Sequence, residues 1–310
     1  MERRRKMDAA GRASDRRALN RILFAVLLLV VFASTPALGQ SLQGDDRDLA
    51  QIQKLAAEQR WQEIVNLTRT APTPSAEWYF QYGTAFAKVE RWDDASRAFE
   101  AGFRLQPNDQ RFPVELAAVA FKQKHYPAAA AYLRRALKLA PDDSYGNDFL
   151  GTIYFLQGNL EAALKYWNRV GKPQIAEAQS EPTPLVHPTL LDHAFAFSPA
   201  NTLHLPELLT TDLRIRGLGI FPNYRFDLQA RDDGKFDVVF RNQERNGWGW
   251  NRWERLFLLF RGLPFQSVTP EFYDLEHDAV NIQSLFRWDA QKRRVLAQVW
   301  TFPAEREISL

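Results

Sequence analysis

The chain has 310 residues, enough for two domains with ordinary cores, and it contains no cysteine. Disulfides, thiolate metal sites, cysteine nucleophiles and a lipidated-cysteine anchor are thereby excluded. Its net charge of +3 does not describe a nucleic-acid surface: residues 1–39 carry eight Arg or Lys against three acids, which leaves the remainder at −2.

From the N-terminus, a basic start runs into the uninterrupted apolar stretch Ile22 to Ala33 and then Ala37-Leu38-Gly39. Together these describe a secretory signal, residues 1–39, cleaved after Gly39. Twelve apolar residues fall short of the roughly 20 that a membrane-spanning helix needs, and the alternative is an uncleaved N-terminal anchor. An exported chain without thiols suits a bacterial periplasm, with association to the outer membrane as the finer expectation. In residues 40–75, Leu49, Ile52, Leu55 and Ala56 have helical spacing, Gln62 to Thr70 offers a second short helix, and Pro72 and Pro74 punctuate. The spacing predicts a degenerate repeat that caps the helices beginning at Ala76.

Over residues 76–173 a pattern of small and aromatic residues returns every 34 positions. Pro107 and Pro141 close two periods. Gly83, Ala117 and Gly151 fall in register, as do Ala95, Ala129 and Ala163. Phe99, Leu133 and Trp167 share a third site, and Phe86, Ala120 and Tyr154 a fourth. Small residues are needed where two helices of a pair cross, and bulky ones where pairs stack, so the period predicts three helix–turn–helix units. The segment resembles the tetratricopeptide repeat (TPR) family. Leu150-Gly151-Thr152-Ile153-Tyr154 matches its Leu-Gly-x-x-Tyr core, and Gly158-Asn159-Leu160-Glu161-Ala162-Ala163 matches the turn into its second helix.

The resemblance implies that the first helix of each unit lines a concave face. Here that face presents Phe80, Thr84 and Lys88, then Val114, Phe121 and Lys122, then Asp148, Thr152 and Phe155. Chaperone-binding members hold a terminal carboxylate with Lys and Asn at such sites. Phe80 and Thr84 replace them, so that activity is not carried over. What is left is an aromatic groove with basic edges, suited to an apolar or extended protein segment; for each aromatic the competing reading is core between repeats.

Gln174 to Pro188 is rich in Pro, Glu, Gln and Ser, and residues 174–189 read as a linker. In residues 190–245, Leu190 to Phe197 reads as a strand, Leu205 to Leu213 as a helix, and Asn223 to Ala230 as a strand that turns at Asp232-Asp233-Gly234 into Phe236, Val238 and Phe240. A helix running into Gly217-Leu218-Gly219-Ile220-Phe221, a strand, Asp233-Gly234 and a second strand resembles the POTRA modules of outer-membrane barrel-assembly proteins. Those modules have two helices after the first strand, whereas only Pro199 to Leu203 is left for the missing one.

The tail, residues 246–310, is aromatic and β-rich: Trp248, Trp250 and Trp253 cluster, Leu256 to Phe260 reads as an apolar strand, and Asn281 to Trp288 pairs with Val295 to Trp300. About three or four candidate strands are fewer than the eight of the smallest membrane barrel. The tail is expected to add a strand to a partner or dock at the membrane interface, the alternative being a soluble subdomain with Trp in its core.

The fold class is therefore α+β, an α-solenoid of helix pairs followed by a smaller β-rich region. The five histidines (His125, His187, His193, His204 and His277) have no ligand spacing. Glu276-His277-Asp278 clusters titratable groups, a run that a surface turn gives as often as a site does, and no nucleophile, phosphate-loop or dinucleotide motif is present. No catalytic residue, metal or cofactor is assigned. The expectation is a non-enzymatic, exported adaptor that binds a protein or peptide, in cell-envelope or outer-membrane assembly; the alternatives are an envelope enzyme with a site in the C-terminal region, or a soluble periplasmic repeat protein.

Overall fold

The computed structural model describes residues 49–67, 74–245 and 252–301. The stretch expected to be an export signal, Pro72, Trp248 and Trp250 lie outside them. The fold is α+β, and the chain divides between Pro141 and Asp142 into two units.

The first unit is helical. A helix over residues 49–57 (α1) and Trp61–Asn66 (α2) precede two longer pairs, Ala76–Lys88 (α3) with Trp92–Leu105 (α4), and Arg111–Lys122 (α5) with Tyr126–Leu139 (α6). Ile52 and Ile64 of the short pair share one core with Trp78, Phe86, Phe99 and Phe112, and Tyr82 Oη donates to Val65 O at 2.8 Å. The 34-residue register holds in the burial: Ala95, Phe99, Ala129 and Leu133 are fully enclosed. In the turns, Glu90 and Lys124 occupy equivalent left-handed positions.

The second unit opens with the third pair, Ser144–Leu156 (α7) and Leu160–Trp167 (α8). Asp143 caps α7 by accepting from Gly146 N at 2.7 Å, and Asn159 caps α8 by accepting from Ala162 N at 3.0 Å. Ala163 and Trp167 are enclosed at the sites that Ala95 and Phe99 hold in the first pair of the register.

Beyond the pair, the structure corrects three expectations. The segment read as a linker carries strand Ile175–Glu181 (β1), which runs parallel to Phe236–Gln243 (β3). Glu177, Gln179 and Glu181 are exposed and hid the strand, while Ile175 is fully buried. Leu190 to Phe197 is not a strand: Pro188–Ala194 is a helix (α9), started by Pro188 and burying Leu191 and Ala194 three residues apart. Leu256 to Phe260 lies inside helix Arg252–Gly262 (α11), because a short apolar run fits either period.

The helix Leu205–Leu218 (α10) and the hairpin Asn223–Ala230 (β2) to β3 form as expected, with Phe226 opposite Phe240, Leu228 opposite Val238, and Gly234 at φ +79° in the turn. The sheet order is β1-β3-β2. The element order is thus strand, two helices, then a hairpin, with the first strand one element earlier than the sequence pattern placed it. One core joins Trp167 and Leu164 of α8 to Ile175, Leu208, Leu228 and Val238; another joins α9, α10 and Phe240.

A second sheet contains Ser267–Val268 (β4), Glu271–Leu275 (β5), Val280–Trp288 (β6) and Arg293–Trp300 (β7). The expected pairing of the last two strands is present, with Ile282 opposite Val299 and Phe286 opposite Val295. Buried Asn281 ties this sheet to α10: its Nδ2 donates to Leu218 O at 2.8 Å, and its Oδ1 accepts from Asp274 N at 3.2 Å. No helix among the described residues is long and apolar enough to cross a membrane.

Candidate functional site

The first helices of the pairs carry the candidate groove residues. Not all remain available. Phe80 is half-buried, 5.6 Å from the Phe112 ring and 5.9 Å from that of Phe99, with the Arg111 guanidinium 4.5 Å over it. Phe155 packs on Trp167 and Phe236 at 5.3 and 5.9 Å. Both aromatics act in packing, as the competing reading had it. Thr84 and Thr152 turn their hydroxyls back onto the helix, donating to Phe80 O at 2.9 Å and to Asp148 O at 3.0 Å. Asp148 accepts from Lys172 Nζ at 2.8 Å. In the first unit, Lys88 and Lys122 are exposed, and Val114, Ala118 and Phe121 half-buried. Phe121 lies 5.7 Å from the Tyr126 ring.

The first helices are braced laterally: Arg111 bridges Glu77 at 2.9 Å and Asp109 at 2.8 Å. Arg135, in the basic run on α6, lies 4.1 Å over the Phe103 ring, which accounts for it without an anionic ligand.

Residues 81–144 match the sequence model of the family described as tetratricopeptide repeat. This segment is similar to tetratricopeptide repeat sequence. The match spans the greater part of α3 through α6, the helices whose register the 34-residue period set. Solved structures with similar parts include the second TPR of Spaghetti (RPAP3) bound to an HSP90 peptide, 21% identical, with 31% of this chain and 89% of that one covered at a TM-score of 0.30. MamA from Desulfovibrio magneticus RS-1 is 16% identical over 41% and 73%, TM-score 0.38. The N-terminal domain of stress-induced protein-1 from C. elegans is 19% identical over 30% and 80%, TM-score 0.29. No curated protein matches the chain by sequence.

Among the TPR side chains, Glu115 on α5 is electrostatically unusual. Burial raises its pKa, and the positive charge of Lys88 offsets this only in part. A carboxyl that holds its proton more tightly folded than unfolded costs stability as pH rises through the native value, and costs nothing below the unfolded one. Glu115→Gln is therefore expected to stabilise the first unit at neutral pH, read as greater protection of α5 amides from hydrogen exchange, and to change little at pH ~4. Equal shifts at the two pH values would contradict this origin.

The sequence reading did not find a cleft of about 430 Å³ in the second unit, where Gly158 to Glu161 face Leu208, Asp212 and the outer edge of β2 from Tyr224 to Phe226. Tyr224 Oη donates to Asp212 Oδ1 at 2.7 Å and accepts from Arg216 Nε at 3.1 Å. Burial and the Asp212 carboxylate push its pKa up to about 12, so the phenol is a fixed neutral donor. Only the apolar alternation of β2 hinted at this edge. The histidines scatter: His187 Nδ1 meets Thr189 Oγ1 at 2.8 Å, His204 caps α10, and His277 lies 3.3 Å from Asp274 in an exposed turn. Among the described residues no three His, Asp or Glu are grouped to hold a metal ion.

Proposed function

We propose that the chain is an exported, non-enzymatic adaptor of the cell envelope that holds a protein segment on the first helices of its tetratricopeptide repeats. The observation that carries this is the division of labour along α3 and α5. The 34-residue register commits Trp78, Ala85, Phe86, Phe112, Leu116 and Ala120 to the core, yet Val114, Ala118 and Phe121, flanked by Lys88 and Lys122, keep solvent-accessible surface on those helices. An apolar strip with basic edges favours an extended segment that brings apolar side chains and acidic groups.

Two further features support the envelope part. The basic and apolar N-terminus followed by Ala37-Leu38-Gly39 has the composition of an export signal. The β–α–α–β–β order of residues 175–243 supplies the two helices that the resemblance to POTRA modules requires. On this reading residues 246–310 tie the adaptor to the envelope, by strand addition or at the membrane interface. The cleft beside the β2 edge favours a second peptide site, where a strand would add to β1-β3-β2.

The test is crosslinking and recovery from envelope membranes of the full chain and of a Lys88→Glu/Phe121→Glu/Lys122→Glu variant. Loss of one set of partners from a variant that stays folded is expected. Identical partner sets would reject the first-helix surface. N-terminal sequencing of the recovered chain reads the cleavage after Gly39 directly.

A further inference from the structure

Helix α11 leaves its apolar side unpacked, as it does Glu254 and Arg261. Trp253, Leu256, Phe257 and Phe260 recur at helical spacing and form one stripe, and this stripe is open to solvent: Trp253 is 79% exposed, Phe257 65% and Phe260 57%. Leu263 and Phe265 continue it beyond the helix, with Phe265 75% exposed. The end of α11 is fixed to the second sheet, because a side chain at Gly262 would stand 2.4 Å from Val268 Cγ1.

Val268 is paired with Phe286, and Phe286 with Val295, so these residues share one face of the sheet. The same register puts Ile282, Trp288, Ala297 and Val299 on that face, with Ser284 and Arg293, and divides the other between polar Gln283, Arg287, Arg294 and Gln298 and apolar Leu285, Leu296 and Trp300. The apolar face is itself exposed at Phe286, Trp288, Val295 and Val299. At the turn between β6 and β7, Arg287, Lys292, Arg293 and Arg294 are all exposed, and the one acid there, Asp289, is held by Arg287 and by the amides of Gln291 and Lys292. Arg261 closes the helix, also exposed.

From this we infer that α11, with the turn through Phe265, lies in the interfacial layer of an anionic lipid bilayer. Its Trp and Phe stripe enters the headgroup–acyl boundary, and the guanidiniums and Lys292 meet lipid phosphates. Eleven helical residues extend only about 16 Å, too short to span a bilayer, so the helix rests on the surface. A convex stripe of Trp and Phe beside several uncommitted cations fits a layer that offers apolar depth and phosphates together. This inference rests on reading residues 246–310 as the envelope tether, and commits that tether to lipid.

The experiment is vesicle flotation of the chain beginning at Gln40, so that the apolar run of the export signal does not bind vesicles itself. Vesicles containing phosphatidylglycerol are compared with pure phosphatidylcholine. Flotation with the anionic vesicles is expected, weakening as salt rises. Trp253→Ser/Phe257→Ser/Phe260→Ser should lose it by about tenfold or more, and Lys292→Glu/Arg293→Glu/Arg294→Glu should abolish the preference for anionic lipid. Because the altered side chains are exposed, circular dichroism of both variants should match the parent; Trp253→Phe, which keeps the stripe apolar, should still float. Failure of the parent to float with either vesicle, or flotation of the Ser variant equal to the parent's, overturns the inference. If the parent fails to float but forms dimers that the Ser variant lacks, the stripe is a contact between copies and lipid is rejected. The tether reading itself fails only if deletion of residues 246–310 leaves the crosslinked envelope partners unchanged.

Discussion

Trp167→Ala is expected to destabilise the second unit by about 3–5 kcal/mol, the usual range when a large aromatic is removed from a core that cannot collapse around the space. Trp167 is 3% exposed and stands at the junction of two structures. Toward the helix pair, its ring packs on Phe155 at 5.3 Å and its Nε1 donates to Asp148 O at 3.2 Å. Toward the sheet, it packs on Phe236 at 5.5 Å, in one core with Ile175, Leu228 and Val238. The loss should therefore register in both places. Hydrogen exchange measured by mass spectrometry on peptides from α7 and from β3 is the appropriate readout, since a chain of two units has no single melting transition to interpret. Faster exchange in both segments, with α3 and α4 unchanged, is the expected pattern. If α7 loosened and β3 did not, the third helix pair and the three-stranded sheet would not share a core.

That shared core explains what could be read from the sequence and what could not. The repeat register was legible because helix crossings impose small residues at fixed intervals: Ala95, Ala129 and Ala163 are each buried without exception. The hairpin β2–β3 was legible because one face is apolar and Asp233-Gly234 suits a tight turn. Strand β1 was not. It is an edge strand with a single fully buried residue, Ile175, and its polar face gives a linker's composition. With β1 hidden, the alternation toward Phe195 and Phe197 reads as the first strand, although Phe197 lies beyond α9 and is buried against the Phe195 and Phe226 rings. For the candidate site, spacing named the first-helix surface but could not say which aromatics were spent on packing. Phe80 and Phe155 lie against rings from other helices and from β3, partners that no local pattern reveals. The exposed stripe of α11 was missed for a related reason: a run of Leu and Phe has the same text whether it faces a core or solvent.

Gly151→Leu is expected to cost about 3 kcal/mol, the upper part of the range for overpacking. A side chain begun at Gly151 would place its first carbon 2.4 Å from Trp167 Cδ1 and 2.7 Å from Cγ, well inside contact distance. The indole is held in place by its packing on Phe236 and by its hydrogen bond to Asp148 O. Exposed Lys138, replaced in the same way, should move stability by no more than about 0.5 kcal/mol. The sharper measurement is the double-mutant cycle. If the cost of Gly151→Leu comes from the indole, it should shrink once Trp167→Ala has opened the space, because the leucine then fills a cavity instead of meeting a ring. Non-additivity of about 1–3 kcal/mol, in the direction of mutual relief, is expected for two residues in contact. Strict additivity, read from the same α7 peptides by hydrogen exchange, would mean that Gly151 is small for a reason other than the close approach of Trp167.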